Sequence, residues 1–133
     1  MAQSPVVWLF PGQSSWKSNM LQAAASLDES AAALLRDACN VLGRELLHDD
    51  EAPKPRSNRD VQVGVFVATM MHLVALESHG ARATGSLGLS LGEYAHLVHI
   101  GALEFADALQ LVDARGALYD RGPAGMMAAV FPM

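Results

Sequence analysis

An α/β fold, a parallel sheet flanked by helices, is predicted by three features of the sequence. Short apolar runs alternate with segments of helical periodicity. The first run, "VVWLF" (6–10), has no polar interruption, as expected of a strand buried on both faces. Finally, "GLSLGEYA" (88–95) places a G-x-S-x-G turn after a strand-like run and before a helical pattern.

The elements follow in order. Pro11 and Gly12 end the first strand, and "PGQSSWKSNM" (11–20) reads as a polar loop. "LDESAAALLRDACNVLG" (27–43) is a helix with acidic residues in its first turn and Gly43 as a stop. "HDDEAPKPRSNRD" (48–60) is a loop with two prolines. A long helix over 60–79, apolar around most of its circumference and closed by Gly80, is of the kind buried in the middle of a domain. "ARATGSLGLS" (81–90) reads as a strand entering the glycine turn. "GEYAHLVHIG" (92–101) and "EFADALQLVDARGALYD" (104–120) read as two helices. "GPAG" (122–125) breaks the last one, and "MMAAVFPM" (126–133) begins another strand-like run. Few strands and an unpaired final run suggest a domain that continues beyond these 133 residues.

Composition narrows the function. Charged residues make up 17%, half the chain is apolar, and the net charge is −5, which argues against a general nucleic-acid binder. The one basic concentration, "PKPRSNR" (Lys54, Arg56, Arg59), reads as a solvated loop. Cys39 is the only cysteine, so no intramolecular disulfide can form, and within its helical pattern a buried, inert thiol is expected. The N-terminus lacks a basic n-region, and the longest apolar stretch, 61–76, is interrupted by Gln62, Thr69 and His72 and falls short of a bilayer span. A cytoplasmic protein without membrane attachment is expected.

The G-x-S-x-G pattern fits two readings. In one, Ser90 is a nucleophile lifted on a strained strand-to-helix turn, with Gly88 and Gly92 letting the chains pass and a helix N-terminus favouring an oxyanion. In the other it caps a helix in an ordinary turn. The blocks around it decide between them. "LFPGQSS", "GLSLGEYAHLV" and "LVDARGALYDRG", in that order, resemble the acyl-CoA:acyl-carrier-protein transacylases, the malonyl-transferase family of fatty-acid and polyketide synthesis. The resemblance covers essentially the whole chain, from about Val6 to Val130.

That resemblance implies an α/β-hydrolase-like large subdomain over 1–122 and the start of a ferredoxin-like small subdomain at 123–133. It implies that Ser90 takes an acyl group from coenzyme A and passes it to the phosphopantetheine thiol of an acyl carrier protein. The amides of Gln13 and Leu91 would form the oxyanion hole. Arg115 would bind the free carboxylate of a malonyl-type group, a task suited to a planar guanidinium. Gln62 stands where the family often has a site-facing glutamine, although a buried glutamine bonded to backbone is the alternative. Leu89 replaces a histidine common before the nucleophile. Tyr119 replaces the methionine of the family's "RGxxM", where it could narrow the acyl pocket, offer a hydroxyl or lie harmlessly on the helix. No metal and no bound cofactor are implied; the coenzyme A thioester is substrate.

The family's general base is a histidine well downstream of the serine, and family members are roughly twice as long. None of His48, His72, His79, His96 and His99 is placed to act on Ser90. The expectation is a portion of the enzyme, completed by a second polypeptide or a C-terminal fragment that supplies the histidine; without it, the helices over 60–79 and 104–120 would expose apolar faces. Two alternatives remain at this level: an editing acyl hydrolase of the same family, and a non-catalytic module binding a carrier protein. "PKPRSNR" is the only basic segment suited to an acidic carrier protein.

Overall fold

The computed structural model describes residues 5–123 together with 125, 128 and 130. Strand β1 (Val7–Phe10) leads through a 3-10 turn (Gln13–Ser15) to α1 (Met20–Ala25), α2 (Glu29–Leu42), the single turn α3 (Leu47–Asp50) and α4 (Asn58–Ser78). Strand β2 (Gly85–Gly88) then pairs with β1 in parallel, from Val7 opposite Gly85 to Phe10 opposite Gly88. Helices α5 (Gly92–His99) and α6 (Phe105–Arg121) complete the described chain. The α/β class with a parallel sheet is as the sequence predicts.

Helix α4 organises the core. Its side chains are apolar on nearly every face, and Val63, Val65, Phe66, Val67, Met70, Met71 and Leu73 are all buried. It packs against α6, α2, α1 and α5. The expectation of exposed apolar helix faces is thus half met: the described residues themselves cover most of α4, whereas Leu111 and Leu118 of α6 stand exposed. By length and composition α4 could span a bilayer, yet 61% of its apolar window is buried inside the fold, as in a core helix. Helix α6 presents Ala108, Leu109, Val112 and Gly116 to it, at spacings of three and four. Gly116 lies so close to Arg59 that an added Cβ would stand 2.5 Å from the Arg59 Cα. The rings of Phe66 and Phe105 stack at 5.8 Å between centroids.

Helix ends explain what the sequence conveys and what it hides. Helix α4 starts at Ser57, whose hydroxyl accepts from the Asp60 amide, and Asp120 of α6 accepts from the amides of Asn58 and Arg59 at 2.7 and 3.1 Å. Helix α1 falls within and just after the segment read as loop. Its N-cap, Asn19, makes no side-chain cap bond, and the capping carboxylate comes from buried Asp50, which accepts from Leu21 and Gln22 at 3.1 and 2.9 Å. No local pattern announces a cap supplied from nearly thirty residues away.

Three further expectations are corrected or bounded. Strand β1 is buried on one face only: Phe10 is buried and Trp8 half-buried, while Val7 and Leu9 are exposed and share their face with exposed Leu87 of β2. With two strands described, helices cover one side of the sheet. The thiol of Cys39 is half-buried rather than fully buried; desolvation raises its pKa, so it stays protonated and unreactive. The strand-like run 126–133 lies almost wholly outside the described residues.

Asp28 caps α2, accepting from the Ala31 amide at 2.9 Å and from the hydroxyls of Ser78 and Ser30 at 2.6 and 2.7 Å. These bonds, Ser78 first, hold its carboxyl at about 2 instead of 3.8. The folded pKa is below the unfolded one, so this stabilisation is complete above about pH 4 and disappears as pH falls towards 2. Thermal melts between those limits should show a shallower acid loss for Asp28→Asn than for the parent. Parallel curves would remove Asp28 from the acid response.

Candidate active site

Ser90 stands between β2 and α5 with φ 51°, one of two non-glycine residues with positive φ among those described. Serine in the left-handed region costs on the order of 1–2 kcal/mol, so the surrounding structure must enforce it. The two glycines show how. A Cβ on Gly88 would strike the backbone of Gly92 and the amide of Glu93, and one on Gly92 would strike the Phe10 carbonyl and stand 2.8 Å from the Pro11 oxygen. The turn is therefore pressed against the end of β1 backbone to backbone. The Leu89 amide donates to the Phe10 carbonyl at 3.0 Å and fixes the register. Ser90 is exposed, and its hydroxyl has no partner among the described residues.

The loop after β1 meets the same turn. The position of a Cβ on Gly12 is 3.3 Å from the Leu89 oxygen, which brings the start of the 3-10 turn beside the elbow. The amides of Gln13 and Leu91 both open a helical turn, and neither has an acceptor among the described residues. Leu91 is buried, whereas Leu89 points outward with 69% exposure. The site therefore offers a hydroxyl, two unengaged amides and the N-terminus of α5.

Arg115 is held by neutral partners. Its Nη1 donates to Gln62 Oε1 at 2.6 Å, its Nη2 to the Tyr119 hydroxyl at 3.3 Å, and its guanidinium lies 4.8 Å from the centre of the Tyr119 ring. Gln62 is completely buried, and its Nε2 has no partner among the described residues. The alternative of a glutamine satisfied by backbone is thus not what the structure shows. Asp113, two residues before Arg115, faces away and takes Arg59 through two bonds of 2.7 and 2.6 Å. Arg115 and Tyr119 line an open cleft of about 650 Å³ with Tyr94, Leu111, Ala114 and Leu118. Ser90 is not among its lining residues; Tyr94, on the first turn of α5, connects the cleft to the elbow. Nothing in the sequence marked Tyr94 for this place. A mostly apolar groove of about 590 Å³ between β1, α1 and α4 is lined by neither Ser90 nor Arg115.

Four of the five histidines are engaged elsewhere. His96 Nδ1 is 2.7 Å from the Ser86 hydroxyl, His99 packs on Phe10 beside Glu77, and the Nδ1 atoms of His72 and His79 lie 2.8 and 2.7 Å from the carbonyls of Ala68 and Ala75. The basic segment is also partly occupied: Arg59 is paired with Asp113, and Arg56 lies 3.3 Å from Asp49. No cluster of metal-ligating side chains occurs among the described residues.

The close approach at Gly92 can be measured. Gly43 supplies the contrast: its φ of 63° would strain any side chain but nothing lies within 4 Å of an added Cβ, whereas Gly92 has no positive φ and would meet only the clash. Urea denaturation should find Gly43→Ala destabilising by about 1–2 kcal/mol and Gly92→Ala by about 3 kcal/mol or more. A Gly92→Ala cost clearly below that of Gly43→Ala would mean that β1 does not press on the turn.

No family model matches the chain. Its sequence is 34% identical over 128 residues to the malonyl CoA-acyl carrier protein transacylase of Staphylococcus aureus (strain MRSA252), covering 92% of this chain and 41% of that protein. The crystal structure of an acyl carrier protein S-malonyltransferase from Vibrio cholerae superposes with a TM-score of 0.81 at 28% identity, over 92% of this chain and 42% of that one. A malonyl-transacylase solved in complex with a type II PKS acyl-carrier protein gives 0.80 at 27% identity, over 89% and 40%. The chain thus spans about two fifths of the length of the relatives it matches. In sequence and in fold the chain is thus similar to the malonyl CoA-acyl carrier protein transacylases.

Proposed function

We propose that this chain carries the acylation machinery of a transacylase that moves a malonyl-type group from coenzyme A to an acyl carrier protein, in fatty-acid or polyketide synthesis. The observation that supports it most is Ser90, exposed at φ 51° on a turn that β1 holds in place. Strain at an exposed serine between a strand and a helix N-terminus is costly in an ordinary turn and useful in a nucleophile.

The mechanism follows from the groups present. Ser90 Oγ attacks the thioester carbonyl, and its proton passes to a general base. The carbonyl oxygen becomes an oxyanion that accepts from the amides of Gln13 and Leu91, aided by the positive end of α5. Collapse of the tetrahedral species forms the Ser90 ester and expels the coenzyme A thiolate, which takes the proton back from the base. The phosphopantetheine thiol of the carrier protein then attacks the ester, and the same steps run in the other direction. Arg115, fixed by Gln62, holds the acyl carboxylate. The base is a histidine outside the described residues, on the remainder of the enzyme or on a second polypeptide. Coenzyme A enters as substrate, no cofactor is bound, and the setting is the cytoplasm. In this reading residues 1–122 form part of the large subdomain and 123–133 open the small one.

Mixing the full-length protein with malonyl-CoA and recording the intact mass should reveal a malonyl adduct that peptide mapping places on Ser90. Ser90→Ala should abolish the adduct and lower transfer on the order of a millionfold. An adduct that persists in the variant, or none in the parent, would sink the assignment.

A further inference from the structure

The geometry around Arg115 points to a further residue that selects the acyl group. We infer that Tyr119 is the second donor to the acyl carboxylate, so that preference for malonyl-type over uncharged acyl groups rests on a guanidinium and a phenol acting together. This rests on the reading of Arg115 given above.

Tyr119 is four residues from Arg115 on α6, so both side chains share one face of the helix. Its ring supports the guanidinium at 4.8 Å, and its hydroxyl accepts from Nη2 at 3.3 Å. A guanidinium has donors and no acceptor, so the phenol cannot return its proton to Arg115. No described residue takes that proton either. The phenol O–H is therefore available on the same side of the cleft as the guanidinium edge. A carboxylate bound to Nη2 lies within reach of the hydroxyl that Nη2 already touches. Gln62 holds Nη1 from inside the core, which leaves the Tyr119 side as the open approach. Leu111, Ala114 and Leu118 supply apolar wall that offers nothing to a charged group, and Tyr94, the other phenol lining the cleft, makes no bond to the Arg115 guanidinium, whose partners are Gln62 and Tyr119. An acetyl group would leave both Arg115 and the phenol unsatisfied, whereas a malonyl group engages them together.

The test compares kcat/KM for malonyl-CoA and acetyl-CoA in the full-length protein, with a carrier protein as acceptor. Tyr119 is 55% exposed, so its replacement should leave the melting temperature essentially unchanged. Tyr119→Phe keeps the ring under Arg115 and removes only the hydroxyl. It should lower the malonyl-to-acetyl ratio about tenfold or more, chiefly through KM for malonyl-CoA. Tyr119→Leu, which also removes the ring, should lower it further. Arg115→Ala serves as the control for the underlying reading. If it leaves the ratio intact, the carboxylate assignment itself fails. If it collapses the ratio while Tyr119→Phe stays within about twofold of the parent, Tyr119 is excluded and Arg115 stands.

Discussion

The contact on which the site depends is steric and lies between two stretches of backbone. Where β1 ends, the carbonyl of Phe10 meets Gly92 so closely that no side chain could stand there. That contact and the Leu89-to-Phe10 hydrogen bond pin the turn after β2 against the loop after β1. Two consequences follow from one constraint. Ser90 is forced into a left-handed conformation that a free chain would leave, and the amides of Gln13 and Leu91 are brought to the same edge of the sheet. A parallel β1–β2 pair makes this possible, because parallel strands present their carboxyl ends, and the loops that follow, on one side.

The helices make that edge rigid. Helix α4 is apolar all round and sits among four neighbours, so its position is set by packing rather than by any single bond. The close passage of Gly116 over Arg59 and the cap that Asp120 gives to α4 lock α6 in register with it. Because Gln62 is on α4 and Arg115 on α6, that register is what lets a completely buried amide reach the guanidinium. The distance from core packing to the presentation of a charge is a single hydrogen bond.

Much of this was legible in the sequence, for reasons that differ by element. Helices α2, α4, α5 and α6 announce themselves through periodicity and terminal glycines or caps that are local in the chain. The Ser90 turn is likewise local, since its glycines lie two residues to either side. What escaped is non-local. Helix α1 takes its cap from Asp50, and Gln62 acquires its partner only when α4 meets α6. The burial of β1 was overestimated because an unbroken apolar run does not say how many layers will cover it; Leu9 and Leu87 remain exposed side by side. The roles proposed for Ser90, Gln13, Leu91 and Arg115 rest on ordered motifs, which composition and periodicity alone could not supply.

The treatment of the arginines shows why one of them can serve a substrate. Arg44 is surrounded by Asp49, Asp60 and Asp113, and Arg59 is bound through two bonds to Asp113. Their charge is spent within the fold, where such networks order the junction of α2, α4 and α6. Arg115 is only two positions from Asp113, yet a helix turns about 200° over that interval and sends the two side chains to opposite sides. Its partners are an amide oxygen and a phenol, which orient the guanidinium without neutralising it. A cation fixed in place by uncharged groups keeps its full attraction for an arriving carboxylate and has little reorganisation left to undergo. Had either partner been Asp or Glu, the same geometry would have made a structural ion pair, and the cleft beside it would have no charge to offer.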